Sequence, residues 1–398
     1  MLYFITQPAP YLVFCKMRSS KLIICCLFAA LSNGVWAQNW LEEYAYYVQQ
    51  KAAKQNIPGY MFAFVEKGKP AKLFLYGNNK KTDSAIEQDT VFRLASVSKT
   101  FTAMLMAKMV EQKRLNWRTP IASIVPQYGF TQNGGEKLNL QHLIGQSSGF
   151  TPNAYDNLIE ANYPVKRVLG MLAELDPLCA PGQCYTYQNT LFAVIGDYFD
   201  QQNSSYSQQL RQQLLSPLGM ATASVGSEAL QSSNKWAKPH VAIARRKWRD
   251  VGVREDYYRY SAAAGVNASS KDMIQWVRAM LGEMPLVVSP ALIDKVTTPI
   301  VRTSSELYRK NWRQHLRNAH YGLGWRIYDF DGHKLNYHGG WVQGYRADIA
   351  FAPKQQVGYV MLMNAESNLI NEFTAQFWQR YFENYEHKTL TAGSKKPD

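Results

Sequence analysis

Apolar residues follow two spacings along the chain, and the change from one to the other sets its organisation. Residues 41–55 read as a helix that Pro58-Gly59 ends. Tyr60–Val65 and Lys72–Tyr76 read as strands joined by the turn Lys67-Gly68-Lys69-Pro70. From Ser96 to Val110 nearly every face is apolar (Phe101, Met104, Leu105, Met106, Met109, Val110), which describes a buried central helix. Residues 140 to about 300 read as mostly helical, with turns at Pro152, Pro181-Gly182 and Gly265. Thr190–Phe199 and Asp272–Leu281 are the clearest helices there. Strand character returns in four consecutive antiparallel segments, Gly324–Phe330, Lys334–Tyr337, Tyr345–Phe351 and Val357–Met363. Asp331-Gly332 and Pro353 to Gln356 provide the turns. A helix over Asn368–Tyr385 places Phe373, Phe377, Trp378 and Tyr381 on one side, and the tail from Lys388 to Asp398 is polar. The expected fold class is α+β. One antiparallel sheet is built from both chain ends and flanked by terminal helices, with a large, mainly helical subdomain inserted. Residues 38–398 form a single domain on this reading, its sheet part about 38–95 and 320–388 and its helical part about 96–319.

The start of the chain carries an address. Residues 1–37 contain no Asp or Glu. Met17 and Arg18 stand just ahead of Lys21, which precedes the ten apolar residues Leu22–Leu31. Ser32-Asn33-Gly34 follow, then Val35-Trp36-Ala37, with small residues at the −3 and −1 positions. This is the pattern of an export signal cleaved after Ala37, with Met17 as its natural start. Ten residues rise only ~15 Å as a helix, short of a bilayer core of ~30 Å, so no stable membrane span is expected after cleavage. The expected location is periplasmic or secreted.

Location decides how the charge is read. The chain has 44 Lys and Arg against 30 Asp and Glu, a balance of +14. Loss of Lys16, Arg18 and Lys21 with the signal leaves 41 basic groups and +11. Outside the cytoplasm that surplus meets anionic cell-envelope polymers or carboxylate substrates, not nucleic acid. Much of it sits in Arg245-Arg246-Lys247-Trp248-Arg249 and in Arg309-Lys310 with Arg313 and Arg317, where solvated faces are the plainer reading. Cys179 and Cys184 are the two of five Cys that survive processing, and in an exported chain they invite a disulfide. Such a short loop gains less than the ~3 kcal/mol of a fifteen-residue one, so its value is local stiffness.

Chemistry concentrates at three places. In Phe92-Arg93-Leu94-Ala95-Ser96-Val97-Ser98-Lys99, Ser96 opens the apolar helix and Lys99 lies one turn on, on the same face. Ser needs a base to become a nucleophile, and a Lys desolvated near a helix N-terminus is pushed toward its neutral form. The Ser96 N–H, free at the helix start, can face an oxyanion. Ser232 to Lys235 repeats the spacing, but in a polar stretch with no buried helix after it. The second place is Tyr187-Gln188-Asn189, ahead of an apolar helix. A phenol beside cations can act as general base, and an Asn amide can hold a substrate carbonyl and the Lys together. Tyr76 and Tyr155 also begin Tyr-x-Asn, on a strand end and in a loop. The third place is His338-Gly339-Gly340-Trp341 at a strand end, where glycines let backbone approach substrate and an N–H past them can complete an oxyanion hole.

In this order the three elements resemble the serine β-lactamase and penicillin-binding protein superfamily, most closely its class C-like branch of Ser-x-x-Lys, Tyr-x-Asn and Lys-Thr-Gly or His-x-Gly. The likeness covers nearly the whole mature chain. It takes in Leu140–Ile144 with Ser147-Ser148-Gly149-Phe150, Leu218-Gly219-Met220, Tyr321–Trp325, Gly344-Tyr345, Phe351-Ala352-Pro353 and Met363-Asn364. The resemblance implies a β-lactamase/transpeptidase-like fold. It implies Ser96 as acylated nucleophile, Lys99 and Tyr187 as the proton-handling pair, and Asn189 with the His338, Gly340 and Trp341 segment as substrate contacts. The backbone N–H groups of Ser96 and Trp341 would form the oxyanion hole. His-Gly-Gly stands where dedicated class C β-lactamases usually carry Lys-Thr-Gly. Histidine, charged only part of the time near neutral pH, holds a carboxylate less constantly than Lys, and the Thr hydroxyl is absent. That departure favours hydrolysis of an amide or ester on a cell-wall or small acyl substrate over antibiotic hydrolysis as the main task, although D-alanyl peptides, β-lactams and small esters all need the same first step.

Three rivals remain on the sequence. Gly145-Gln146-Ser147-Ser148-Gly149 matches the Gly-x-Ser-x-Gly nucleophile elbow, but Leu140–Ile144 before it lacks strand alternation. A binding or scaffold protein on the same fold would use the basic stretches, yet all three catalytic side chains are present. The seven His are scattered, without His-Glu-x-x-His, a zinc-spaced Cys pair or a Gly-rich phosphate loop, so neither metal nor another cofactor is expected.

Overall fold

The computed structural model describes residues 32–79, 84–130 and 135–393. The apolar run 22–31, with Cys25 and Cys26, and the last tail residues lie outside them. Among the described residues no helix is long and apolar enough to cross a membrane.

A nine-stranded antiparallel sheet organises the molecule. The early strand Gly59–Glu66 pairs with the late strand Val357–Met363, Tyr60 opposite Met363 and Glu66 opposite Val357, so both chain ends meet in mid-sheet. From there Tyr345–Ala352, His333–Val342, Arg326–Phe330 and Leu316–Tyr321 follow outward, while Lys72–Asn79 lies on the other side. Both faces are covered, and strand alternation sorts the side chains between them. Tyr60, Phe62 and Phe64 join Tyr359 and Met361 under the terminal helices Ser32–Lys54 and Leu369–Gly393. Met61, Ala63 and Val65 join Val360 and Leu362 on the opposite face, against the helical region.

The helix Ser98–Glu111 runs through that region with Phe101, Met104, Leu105, Met106 and Met109 buried, and Phe101 stacks on Trp276 with ring centroids 4.4 Å apart. This all-round burial explains its lack of a polar face. The region 140–300 is less uniformly helical than expected. It contains the strand Val266–Ser269, paired with Val91–Arg93, and a ribbon of His240–Ala244 with Lys247–Asp250. Arg245 and Arg246 form the turn of that ribbon, Arg246 at φ +63°, and Trp248 anchors it by donating from Nε1 to the Gln55 carbonyl at 2.9 Å. The strand expected over Lys334–Tyr337 extends to Val342, and the last helix continues eight residues past Tyr385 to Gly393. Cys179 and Cys184 are joined in a disulfide.

Candidate active site

Ser96 sits on a tight turn, Ala95–Val97, between the strand Val91–Arg93 and the helix Ser98–Glu111. The reversal is sharp enough to hold Ala95, which is buried, at φ +49°. A left-handed non-glycine residue costs roughly 1–3 kcal/mol and persists where its surroundings enforce it. Here the enforcing neighbour is the strand His333–Val342. A Cβ on Gly340 would lie 2.2 Å from the Leu94 carbonyl oxygen and 3.2 Å from the Ser96 nitrogen. Only glycine allows this approach, which brings the backbone around Trp341 up to the Ser96 turn.

Lys99 points back toward Ser96, as the three-residue spacing predicts. It is 0% exposed. Its Nζ donates to Ser96 Oγ at 3.3 Å, to Asn189 Oδ1 at 2.7 Å and to the Ala263 carbonyl at 3.1 Å, which uses all three donors of an ammonium. Burial pushes its pKa down, Tyr187 and Asp156 oppose that push, and Arg326 adds to it. The Tyr187 ring lies between two cations, 4.8 Å from Lys99 Nζ and 5.5 Å from the Arg326 guanidinium carbon. Ser96, Tyr187 and Asn189 thus line one cleft of about 900 Å³, and the Lys99 amine is buried behind them, bonded to Ser96 and Asn189.

The segment 145–149 has a different use from the elbow it resembles. It follows the helix Leu140–Ile144, and Ser147 is wholly buried. Gln146 accepts from the Gln188 N–H at 2.6 Å and donates to the Gln188 carbonyl at 3.2 Å, while its own carbonyl accepts from Thr186 N–H at 2.8 Å. The disulfide loop docks on the same segment, Leu178 N–H to the Gly149 carbonyl at 2.8 Å and Gly182 N–H to the Ser147 carbonyl at 2.7 Å. Both clamp the stretch that presents Tyr187. The second Ser-x-x-Lys match plays no part: Lys235 pairs on the surface with Glu87 at 2.5 Å and Asp89 at 3.3 Å.

His338 requires a correction. It was expected to meet substrate, but its imidazole is 0% exposed and lies behind the cleft wall. Nε2 accepts from Tyr321 Oη at 3.1 Å and from Arg326 Nη1 at 3.5 Å, and Nδ1 donates to the Gly339 carbonyl at 3.0 Å. That network describes a neutral ring, with the tautomer assigned from its partners. Burial, with Arg326 and Lys99 nearby, holds its pKa well below the usual value. The positive charge toward the cleft therefore belongs to Arg326, not to His338. Burial works against the Glu306 charge, but Arg326 and Arg309 hold its carboxyl below its usual range, and Arg326 Nε donates to Glu306 Oε1 at 3.2 Å. The missing hydroxyl at Gly339 also has a substitute. A Cβ there would lie 2.4 Å from Tyr337 Oη, so the phenol occupies the space of the absent side chain.

Asp156 was not anticipated. It accepts from Asn189 Nδ2 at 2.8 Å, and the Asn189 amide is therefore held between a carboxylate and the Lys99 ammonium. This fixes Asn189 Oδ1 toward Lys99 and leaves one amide hydrogen for another acceptor. Asp156 is the middle residue of Tyr155-Asp156-Asn157, another Tyr-x-Asn match, and opens the helix Asp156–Glu160. Burial raises its carboxyl to about 6, against the pull of Asn189 and Lys99. Arg326 carries a sequence signal of its own, its place directly after the Tyr321–Trp325 landmark. Among the described residues no group of His, Cys, Asp and Glu is arranged to hold a metal ion.

A profile of the Beta-lactamase family matches residues 45–376. A Beta-lactamase of Yersinia enterocolitica is 24% identical over 348 residues, covering 78% of this chain and 83% of that one. Protein flp of Staphylococcus aureus (strain MRSA252) is 23% identical over 333 residues, covering 81% of this chain, which spans only 62% of its length. Among solved structures, the octameric penicillin-binding protein homologue from Pyrococcus abyssi superposes with TM-score 0.71 at 22% identity, covering 81% of this chain and 73% of that one. A class C beta-lactamase superposes with TM-score 0.67 at 18% identity, covering 87% and 96%. With its family profile spanning most of the chain and its fold shared with both structures, this protein belongs to the beta-lactamase family, within the serine β-lactamase and penicillin-binding protein superfamily.

Proposed function

We propose that the chain is an exported acyl hydrolase that works through a covalent ester on Ser96, acting on an amide or ester such as a D-alanyl peptide, a β-lactam or a small ester. The observation that carries this reading is the buried Lys99 amine, 3.3 Å from Ser96 Oγ and desolvated toward its neutral form. Once neutral, Lys99 keeps two N–H bonds, to Asn189 Oδ1 and the Ala263 carbonyl, and its lone pair takes the Ser96 proton as Oγ attacks the acyl carbon. The oxyanion forms between the Ser96 and Trp341 N–H groups. The proton passes through Tyr187 to the leaving nitrogen or oxygen as the scissile bond breaks, and water activated by the same pair then releases the acid. The neutral, buried His338 and the hydroxyl-free Gly339 support placing antibiotic hydrolysis second. Export rests on the segment Lys21–Ala37, and the exposed Arg245, Lys247 and Arg249 suit an anionic envelope polymer as a further partner.

Mass spectrometry with a penicillin and with a D-Ala-D-Ala peptide tests the reading. The expected result is an acyl adduct on Ser96 that is absent from Ser96→Ala. No adduct with any acyl donor, or one that survives the substitution, would sink it.

Asp156→Asn tests which group is the base. The amide keeps an acceptor for Asn189 but removes the charge that raises the Lys99 pKa. The ascending limb of the acylation pH profile should therefore move to lower pH. A limb that stays in place or moves upward would remove Lys99 as the group that sets it.

A further inference from the structure

The two basic stretches, far apart in the chain, border one groove of about 480 Å³ outside the cleft. Trp248 of the ribbon lines it together with Arg309, Lys310 and the residues just ahead of the last helix. The indole is fixed in place, since its Nε1 donates to the Gln55 carbonyl at 2.9 Å, and Asn56 Nδ2 pins the ribbon turn by donating to the Arg246 carbonyl at 3.0 Å. Arg309 lines both this groove and the catalytic cleft, and Glu366 of the cleft directly precedes Ser367 of the groove, so the two hollows adjoin.

Charge and hydrogen-bonding capacity are both left over here. Arg245, Arg246, Lys247, Arg249 and Lys310 are exposed and enter no ion pair among the described residues. Glu372, a carboxylate in the lining, is taken by Lys51 at 2.9 Å and by the Tyr47 hydroxyl. The side-chain amides of Gln55, Asn311 and Asn368 line the groove and make no hydrogen bond among the described residues. Each offers two donors and an acceptor, the complement of a row of hydroxyls. The indole adds an apolar face the size of a ring. Cations alone would take any polyanion, whereas cations, free amides and an indole in one groove match rings that carry both hydroxyls and acid groups. Alternation puts Lys247 and Arg249 on the ribbon face opposite Trp248, where they add longer-range attraction. A bilayer fits less well. Ile243 is 54% exposed on the ribbon, but the indole is bonded to the body of the protein, and the amides line a hollow that a flat surface does not enter.

We propose that this groove docks an acidic polysaccharide, a chain of uronic acid rings, which continues past Arg309 toward the mouth of the cleft. The inference rests on the reading of the basic ribbon as facing an anionic envelope polymer, and it gives that polymer a site and a chemical class. A ring lies against Trp248, its hydroxyls pair with the amides of Gln55, Asn311 and Asn368, and its carboxylate pairs with Lys310.

The test measures binding to the purified protein by calorimetry at low salt. The probes are an alginate oligomer, polyphosphate of equal charge, neutral dextran and vesicles of phosphatidylglycerol. Wild type should bind alginate about 10-fold or more tighter than polyphosphate, the combined effect of two or three amide-to-hydroxyl bonds. Gln55→Ala with Asn368→Ala should remove most of that preference and leave polyphosphate binding as it was. Asn368→Ala alone serves if the pair melts below the assay temperature. Lys247→Glu with Arg249→Glu should weaken both polyanions. Equal affinities for alginate and polyphosphate, or a preference that the amide variants leave intact, overturn the polysaccharide site while the wider polymer reading stands. No binding of either polyanion overturns both. Vesicles bound more tightly than alginate assign the ribbon to a bilayer and overturn the site, as does dextran bound as tightly as alginate, which would leave the cations no part.

Discussion

Lys99→Ala is expected to slow acylation of Ser96 by a β-lactam or activated ester by about 10²- to 10⁴-fold, the contribution of a positioned general base. The argument is geometric before it is electrostatic. Lys99 Nζ lies within 3.3 Å of three oxygens, and one is Ser96 Oγ, the proposed nucleophile. No water is needed to carry the proton between them. Truncation also leaves the Asn189 side-chain oxygen and the Ala263 carbonyl without their donor. Each buried orphan costs about 1–3 kcal/mol, so stability will fall as well. The two effects separate by rate and by pH. A chain that is merely less stable regains its rate below its melting temperature and keeps its pH profile. A chain without its base stays slow at every temperature and loses the limb set by the amine. Burial holds that amine below the usual lysine range, so the wild-type rate should rise with pH before free lysine would ionise. Labelling of Lys99→Ala at the wild-type rate would remove the amine from the mechanism.

The parts legible in the sequence share one trait: their identity follows from local pattern. The helix Ser98–Glu111 could be read because it is apolar on every side, and the late strands because alternation and turn residues coincide. The strand Leu316–Tyr321 escaped because Arg317, Asn318 and His320 interrupt it and a bulge shifts its register after Leu316. The basic ribbon around Arg245 escaped because its stability comes from a few distant contacts, such as Trp248 to Gln55, rather than from an apolar face of its own. The site divides the same way. Ser96, Lys99, Tyr187 and Asn189 announce themselves by spacing. Asp156, Arg326 and Tyr337 acquire meaning only through neighbours distant in the chain. The burial of His338 is hidden from the sequence for the same reason. Whether an imidazole is charged depends on what surrounds it, and here Arg326, twelve residues earlier, crosses the strand pair to face it.

Gly340→Ala is expected to lower kcat by about 10²- to 10³-fold, the usual effect of losing one oxyanion donor. The added methyl is small, and Gly340 is not among the residues held at positive φ, so conformational strain is not the cause. The obstacle is the Leu94 carbonyl oxygen, 2.2 Å from where the new carbon would lie. A backbone carbonyl cannot rotate away as a side-chain tip can. It belongs to the turn that holds Ala95 at φ +49° and Ser96 beyond it, so the strand and the turn must move apart together. The Ser96 N–H rides on one and the Trp341 N–H on the other, and a gap of a few tenths of an ångström would spoil their aim at the single oxygen proposed to sit between them. Because the donors act on charge that develops in the transition state, the loss should appear in kcat with little change in KM. A simple steric block would raise KM instead, and full activity would show that strand and turn need not touch for the chemistry to proceed.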